Sequence, residues 1–178
     1  MEEEDMRIKA ITLWQPWASL VAVSAKQYET RSWHPPVTIH FGDLIAIHAA
    51  QRSPRLGWEE MSGREMSQAM QALAAADVRD DRLPTGSIVA ICELAWFVTT
   101  EEHRQQVSAQ ERAFGDWSSG RFAWKVPVVH RLPQPIAAKG HQGLWEWDVP
   151  DEVSEYLSEL AGAHADWAEQ MQRAGERL

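Results

Sequence analysis

Residues 12–33, TLWQPWASLVAVSAKQYETRSW, place a lysine, a glutamate, an arginine and three tryptophans in one helix-then-strand passage. Its apolar residues are spaced for a core and its polar residues for a site. Pro16 suits the N1 position of a helix running to about residue 25, with Gln15 before it. Trp17, Leu20, Val21 and Ser24 fall on one face of that helix, the i, i+3, i+4, i+7 pattern of a packed helix. Residues 28–33 read as extended, and Pro35-Pro36 ends them. Glu29, Arg31 and Trp33 then share a face, because alternate side chains of a strand point the same way. Lys26, at the helix exit, leans over that face. An ammonium, a carboxylate and a guanidinium converging beside an indole can grip a polar heterocycle or a phosphate. The same spacing also describes a surface ion pair on an edge strand.

Outward from this block, residues 7–13 alternate well enough for a first strand. The Gly42-Asp43 turn leads into a short apolar run over 44–48, bounded like a buried strand. Met61, Met66, Met70, Leu73 and a string of alanines predict one or two helices over 54–76. Residues 83–86 form a turn. The segment 87–97, SIVAICELAWF, is the strongest strand signal and holds a single acid, Glu93. Hydroxyls followed by acids at 99–102 mark a helix start. Strands are expected over 122–129 and 143–149, joined through the Pro133/Pro135 segment. Val153, Leu157, Leu160, His164, Trp167 and Met171 share one helical face beyond Asp151. Short strands, an early helix and a helical insert predict an α+β fold built on a small mixed β-barrel, not alternating βαβ units. The expected organisation is an acidic tail over 1–6, one domain over 7–149 with its helical insert at 54–82, and a C-terminal helix over 150–178.

The 178 residues suit one domain, and at that size roughly 70% of the unfolded surface can be buried without a covalent staple. Ten tryptophans stand against four phenylalanines and two tyrosines. Large rings serve cores, but they also serve as stacking platforms for bases. Cys92 is the single cysteine, so no internal disulfide forms and a reducing compartment is expected. The opening MEEEDMR is acidic, the reverse of a secretory signal. The apolar stretch after it is broken by Gln15-Pro16 and is too short to span a bilayer. A cytoplasmic protein with no membrane partner is the expectation. The net charge of -9 is unevenly spread. Residues 1–5 and 146–178 together hold 13 acids and 2 bases, whereas 6–145 hold 13 acids and 15 bases. The slightly basic centre permits a phosphate-bearing partner. Without a basic cluster, tight nonspecific binding to long nucleic acid is not expected.

Two further places could carry chemistry. Glu93, flanked by Ile91, Cys92, Leu94 and Ala95, is costly to bury unless paired, and Lys26 or Arg31 are its obvious partners. A position on the solvent face of a one-sided sheet is the alternative. In Gly140-His141-Gln142-Gly143-Leu144-Trp145, paired glycines permit close backbone approach. Gln142 could read a base edge there while Trp124 or Trp145 stacks. A hairpin turn with core tryptophans fits the same residues. The seven histidines are scattered and no Cys/His ligand spacing occurs, so neither a metal nor another cofactor is expected. No Gly-rich nucleotide fingerprint and no G-x-S-x-G setting is present.

Three segments together resemble the ASCH domain (ASC-1 homology) family, a branch of the PUA-like β-barrels. They are the LWQPWASLVAVSAKQYETRSW block, the SIVAICEL strand and the FAW…P…KGHQGLWEW ending. The first is similar to the family's G-x-K-x-x-x-x-R signature with its Q-P-[WY] helix start. The resemblance implies a cleft between barrel and first helix, lined by Lys26, Glu29, Arg31 and Glu93. It also implies a link to RNA or nucleoside binding. Some small bacterial members remove the acetyl group from N4-acetylcytidine with a Lys/Thr/Glu trio. Lys26 corresponds to that lysine and Glu93 to that glutamate. The threonine position is Glu29 here, with Thr30 one place later, and the signature glycine is Ser24.

The leading expectation is therefore a module that recognises a base, in single-stranded RNA or as a modified nucleoside. Lys26, Glu29 and Glu93 form the reactive set. Arg31, Trp14, Gln15, Trp17, Trp33, His48, Trp124, Gln142 and Gly143 are expected to surround the ligand. The alternative is an amidohydrolase acting on an N-acylated cytosine, with Lys26 activating water or attacking the acyl carbon and Glu93 carrying the proton to the leaving amine.

Overall fold

The computed structural model describes residues 6–162. Contacts divide the chain into a larger unit, Lys9–Trp145, and a smaller one drawn from the two ends, up to Ile8 and from Glu146. The described elements run β1 (Arg7–Leu13), α1 (Trp17–Ala22), β2 (Tyr28–Arg31), β3 (Leu44–Ala49), α2 (Pro54–Glu59) and α3 (Gly63–Ala75). After a short 3-10 turn at Asp80–Arg82 follow β4 (Ser87–Glu93), β5 (Trp96–Thr99), α4 (Thr100–His103), α5 (Ala109–Phe114), β6 (Phe122–Lys125), β7 (Val128–Ala137) and β8 (Leu144–Asp148).

These strands make two sheets, of order β7-β4-β3-β1-β8 and β2-β6-β5. The fold is thus α+β as expected, although among the described residues the strands do not close into one hydrogen-bonded ring. β1 and β3 are parallel, in register from Lys9↔Ile45 to Leu13↔Ala49. β3–β4 and β4–β7 are antiparallel, as are both pairs of the smaller sheet. β3 and β4 are paired on both sides, which is why they read as continuous apolar runs and not as alternating ones. Ile45, Ile47, Val89, Ala90 and Cys92 bury into one core with Ile11, Val21 and Trp124. Each such aliphatic side chain contributes about 1.5–3 kcal/mol relative to exposure.

The helix α1 packs on β3 and β4 and is buried over residues 18–22. It ends three residues earlier than its apolar spacing predicts. Pro16 stands at the N-cap, after a cis Gln15–Pro16 peptide, and Ser24 turns outward at φ 61° instead of completing the packed face. The segment 87–97 also divides. Glu93 N–H donates to the Pro127 carbonyl and Leu94 N–H to that of Asp43, while Ala95 N–H reaches Lys125 in the other sheet. One apolar run therefore supplies strands to both sheets. Pro133 and Pro135, expected in a connection, lie inside β7. That strand is at the sheet edge, where a missing N–H costs no ladder bond.

Helices α2 and α3 form the predicted insert. Ser62 and Glu65 close a reciprocal capping box at the start of α3, and Ala69 and Leu73 are buried. The insert meets α1 tightly. A side chain at Gly57 would fall within contact of the Gln15 carbonyl, so only glycine lets α2 approach. Helix α5 lies outside the elements that the sequence predicts. Its signal was Ser108, whose side chain accepts from the Glu111 N–H at 3.0 Å in the S-x-x-E spacing of a helix start.

In the smaller unit, Arg7 Nε donates to Asp148 Oδ1 at 2.7 Å and the Val149 N–H to the Met6 carbonyl at 2.8 Å. Residues 151–162 are helical, with Val153 and Leu157 buried. The acidic residues 2–5 and the face continuing through His164, Trp167 and Met171 lie outside the described residues. Among those described, no helix is long and apolar enough to cross a membrane.

Candidate functional site: a cleft beside the first helix

The turn that ends α1 places the side chains that follow it. The Ala25 and Lys26 N–H groups both donate to the Leu20 carbonyl, at 3.0 Å, and the chain then enters β2. Lys26 is 2% exposed and Glu29 8% exposed. Lys26 Nζ donates to the Tyr28 carbonyl and lies 3.4 Å from Glu29 Oε2. Arg31 Nε lies 2.9 Å from Glu29 Oε1, and Arg31 Nη2 donates to the Thr12 carbonyl at 3.2 Å. Each carboxylate oxygen thus serves one cation. The trio carries two positive charges against one negative, so it retains a net positive charge. Removing such charges from water costs several kcal/mol per ion unless pairing and hydrogen bonds offset it, as they do here.

The same strand is held from its other side. Glu111 on α5 is buried, and its carboxylate accepts from the Gln27 N–H at 2.9 Å and the Tyr28 N–H at 3.0 Å. Thr30 Oγ1 accepts from the Asp116 N–H at 3.1 Å, and Arg121 Nη2 donates to the Thr30 carbonyl at 3.0 Å. Arg121 also pairs with Asp116 at 3.3 Å. The Ser118 hydroxyl and its N–H, with Arg121 nearby, hold the Asp116 carboxyl below the usual carboxylate range against a partial desolvation cost. Burial pushes the Tyr28 phenol up.

Around the trio opens a cleft of about 400 Å³. Lys26, Glu29, Thr30 and Arg31 line it together with Thr12, Trp14, Trp17, Glu60, Asp116 and Arg121. Trp14 is 43% exposed, and the Arg52 guanidinium sits over its ring, 3.4 Å from the centroid. An exposed indole, a guanidinium and a buried carboxylate give a stacking surface, donors and an acceptor within one concavity.

Other expected residues fall elsewhere. Glu93 does not line this cleft: it ends β4, opposite Leu44 in the five-stranded sheet, while β2 pairs with β6 in the other. Lys26 takes Glu29 as its carboxylate instead. Gln15 is buried as a structural brace, donating to the Pro84 carbonyl at 2.8 Å and accepting from the Ser19 N–H at 3.1 Å. Trp124 is wholly buried, with Trp33 edge-on at 4.7 Å between centroids, so its face is core and not a stacking surface. Its indole N–H has no hydrogen-bond partner among the described residues.

His48 and Gln142 line a second cavity of about 700 Å³, separated from the cleft by Thr12, which lines both. Gly143 is exposed at φ 68°, in the turn before β8. His48 is buried. Its Nε2 meets the Ala138 carbonyl at 2.9 Å and its Nδ1 the Thr12 hydroxyl at 3.2 Å. A carbonyl only accepts, so Nε2 carries the proton. Burial pushes the His48 imidazole down, which the Ala138 carbonyl partly opposes. The sequence reading names Thr30 but leaves out Asp116, Arg121 and Glu111. The last had a signal in its helix-cap spacing, and the others none beyond a glycine-flanked polar loop. Among the described residues no group of three or more His, Cys, Asp or Glu could hold a metal.

Two small sheets, a helix laid against the larger one and a charged cleft at that helix's exit make up an α+β domain. A family model of the ASCH domain matches residues 11–137, and the chain belongs to the ASCH domain family. It is similar to the solved ASCH structure from Zymomonas mobilis, at 16% identity and TM-score 0.47, covering 85% of this chain and 94% of that one. A serine-to-alanine mutant of the same Zymomonas mobilis protein is similar at 16% identity and TM-score 0.47, with 88% and 97% covered. No curated protein matches the chain.

Proposed function

We propose that the cleft binds a nucleobase, presented in single-stranded RNA or as a modified nucleoside. The observation that carries this reading is the Lys26–Glu29–Arg31 trio, its lysine and glutamate buried, lining a concavity flanked by Trp14 and Trp17. Lys26 and Arg31 donate to carbonyl or phosphate oxygens, and Glu29 accepts from an exocyclic amine. Trp14, already stacked with Arg52, offers its ring to the base. The family's association with nucleic acid agrees. The test is binding of nucleosides and short single-stranded RNA at low and moderate salt. Lys26→Ala and Arg31→Ala each weaken binding, and RNA affinity falls as salt rises. Unchanged affinity in both variants refutes the site.

A second reading has its own observation: Lys26, Glu29 and Thr30 all line one cleft, the Thr30 hydroxyl accepting there from the Asp116 N–H. Such a set suits hydrolysis of an N-acylated cytosine, with Lys26 acting on water or the acyl carbon. Because Glu93 lies off the cleft, Glu29 would carry the proton to the leaving amine. Cytidine release from N4-acetylcytidine, lost in Lys26→Ala, supports this reading. No turnover, or turnover that survives the substitution, removes it.

A further inference from the structure

The second cavity is built differently from the cleft. Its floor is Thr12 and His48, approached closely by the chain at Gly140, where a Cβ would come 2.6 Å from His48 Nδ1 and 2.9 Å from Thr12 Oγ1. Gly86, also in its lining, has φ +60° and leaves room for the Gln51 amide, whose Oε1 a Cβ would meet at 2.9 Å. The rim carries Lys139, His141 and Gln142, and no carboxylate lines the cavity. The cleft, by contrast, is lined by Glu29, Glu60, Glu65 and Asp116, and its lysine and arginines face carboxylates.

Lys139, Gln51 and Gln142 make no side-chain hydrogen bond or ion pair among the described residues, and all three are exposed. An ammonium and two amides around a carboxylate-free concavity bring N–H donors that no side chain engages among the described residues. Arg52 follows Gln51 directly, and its guanidinium, stacked on Trp14, has no carboxylate partner among the described residues. The Trp14 ring it covers lines the cleft.

We propose that this cavity is a phosphate-binding subsite, taking the terminal phosphate of a nucleotide or the bridging phosphate of a strand. Lys139 supplies the charge, and the amides of Gln51 and Gln142 donate to the phosphate oxygens. The placing of the attached base in the cleft rests on the function proposed above; the phosphate contact does not. The preferred ligand is accordingly phosphorylated, and a free nucleoside uses half of the surface.

Inorganic phosphate is titrated into the full chain while the imidazole resonances of His141 and His48 are followed by NMR, with sodium chloride at matched ionic strength as control. Phosphate shifts the His141 signals saturably and chloride does not. Lys139→Ala weakens phosphate about tenfold, the loss of one charge-assisted contact, and Lys139→Arg restores it. In the nucleotide arm, a 5′-monophosphate binds more tightly than its nucleoside, and Lys139→Ala abolishes that advantage while nucleoside affinity is unchanged. Comparing the monophosphate with a dinucleoside monophosphate separates a terminal from a bridging phosphate, and preference for either over the nucleoside supports the subsite. Equal responses to phosphate and chloride, or unchanged phosphate affinity in Lys139→Ala, overturn it. Phosphate binding that survives when no nucleoside binds upholds the subsite and refutes only the base-binding reading of the cleft.

Discussion

The cleft and the second cavity share Thr12 yet follow opposite plans. In the cleft, Lys26 and Glu29 are buried and every oxygen of the carboxylate has its cation. In the cavity, Lys139, Gln51 and Gln142 stand in solvent without partners among the described residues. The first arrangement is desolvated and oriented during folding, so a ligand meets fixed groups. The second leaves ordering and desolvation to the moment of binding. Stability should therefore be sensitive to the cleft and indifferent to the cavity rim.

The largest effect is expected at Glu29. Glu29→Leu leaves Lys26 and Arg31 side by side without counter-charge, and chemical denaturation should show a loss of about 3–5 kcal/mol. A loss under about 1 kcal/mol, the worth of an exposed pair, would erase the contrast. Next is Glu111→Ala, which strands the Gln27 and Tyr28 N–H groups. Buried donors left unsatisfied cost about 1–3 kcal/mol, so the melting temperature falls and nucleoside affinity with it. Phosphate binding at the cavity stays as it was.

A smaller effect follows pH. The folded pKa of His48 lies below the ordinary 6.5 because burial disfavours the cation. The unfolded chain takes up the proton first, so stability is lost as pH falls below about 6.5 and levels off below the folded pKa. His48→Gln should flatten that part of a plot of melting temperature against pH; an unaltered slope assigns the titration to other groups. The smallest effect belongs to Lys139→Ala, within about 0.5 kcal/mol of wild type. A larger drop would mean that Lys139 has a structural partner and the cavity rim is not free to bind.

Much of the cleft could be read from residues 26–31 because it is local. Alternation along an extended segment puts Glu29 and Arg31 on one face, and they meet at 2.9 Å. The turn after α1 brings Lys26 to the same carboxylate. Glu93 was harder, because its partner depends on which sheet its strand joins. The run SIVAICELAWF reads the same whether it makes one strand or two, and the change at Leu94–Ala95 is set by partners distant in sequence, Asp43 and Lys125. Trp124 poses a similar problem. Aromatic character marks it for a core or a stacking face, and only the packing of the two sheets decides between them. The β7 prolines are readable only once that strand is known to be an edge.

Thr12 has a main chain and a side chain with different neighbours. Its carbonyl accepts from Arg31 Nη2 of the cleft. Its hydroxyl, which receives the Trp145 N–H at 3.1 Å, touches both the His141 carbonyl and His48 Nδ1 at the cavity. A hydroxyl has one proton and cannot donate to both acceptors at once. A ligand that moves Arg31 pulls on the same residue whose proton arbitrates between two groups of the other cavity. If both proposed sites bind, any coupling through Thr12 is reciprocal: the factor by which one ligand changes affinity for the other is identical in both directions. Thr12→Val, which keeps the carbonyl and removes the arbiter, separates the two halves of that exchange.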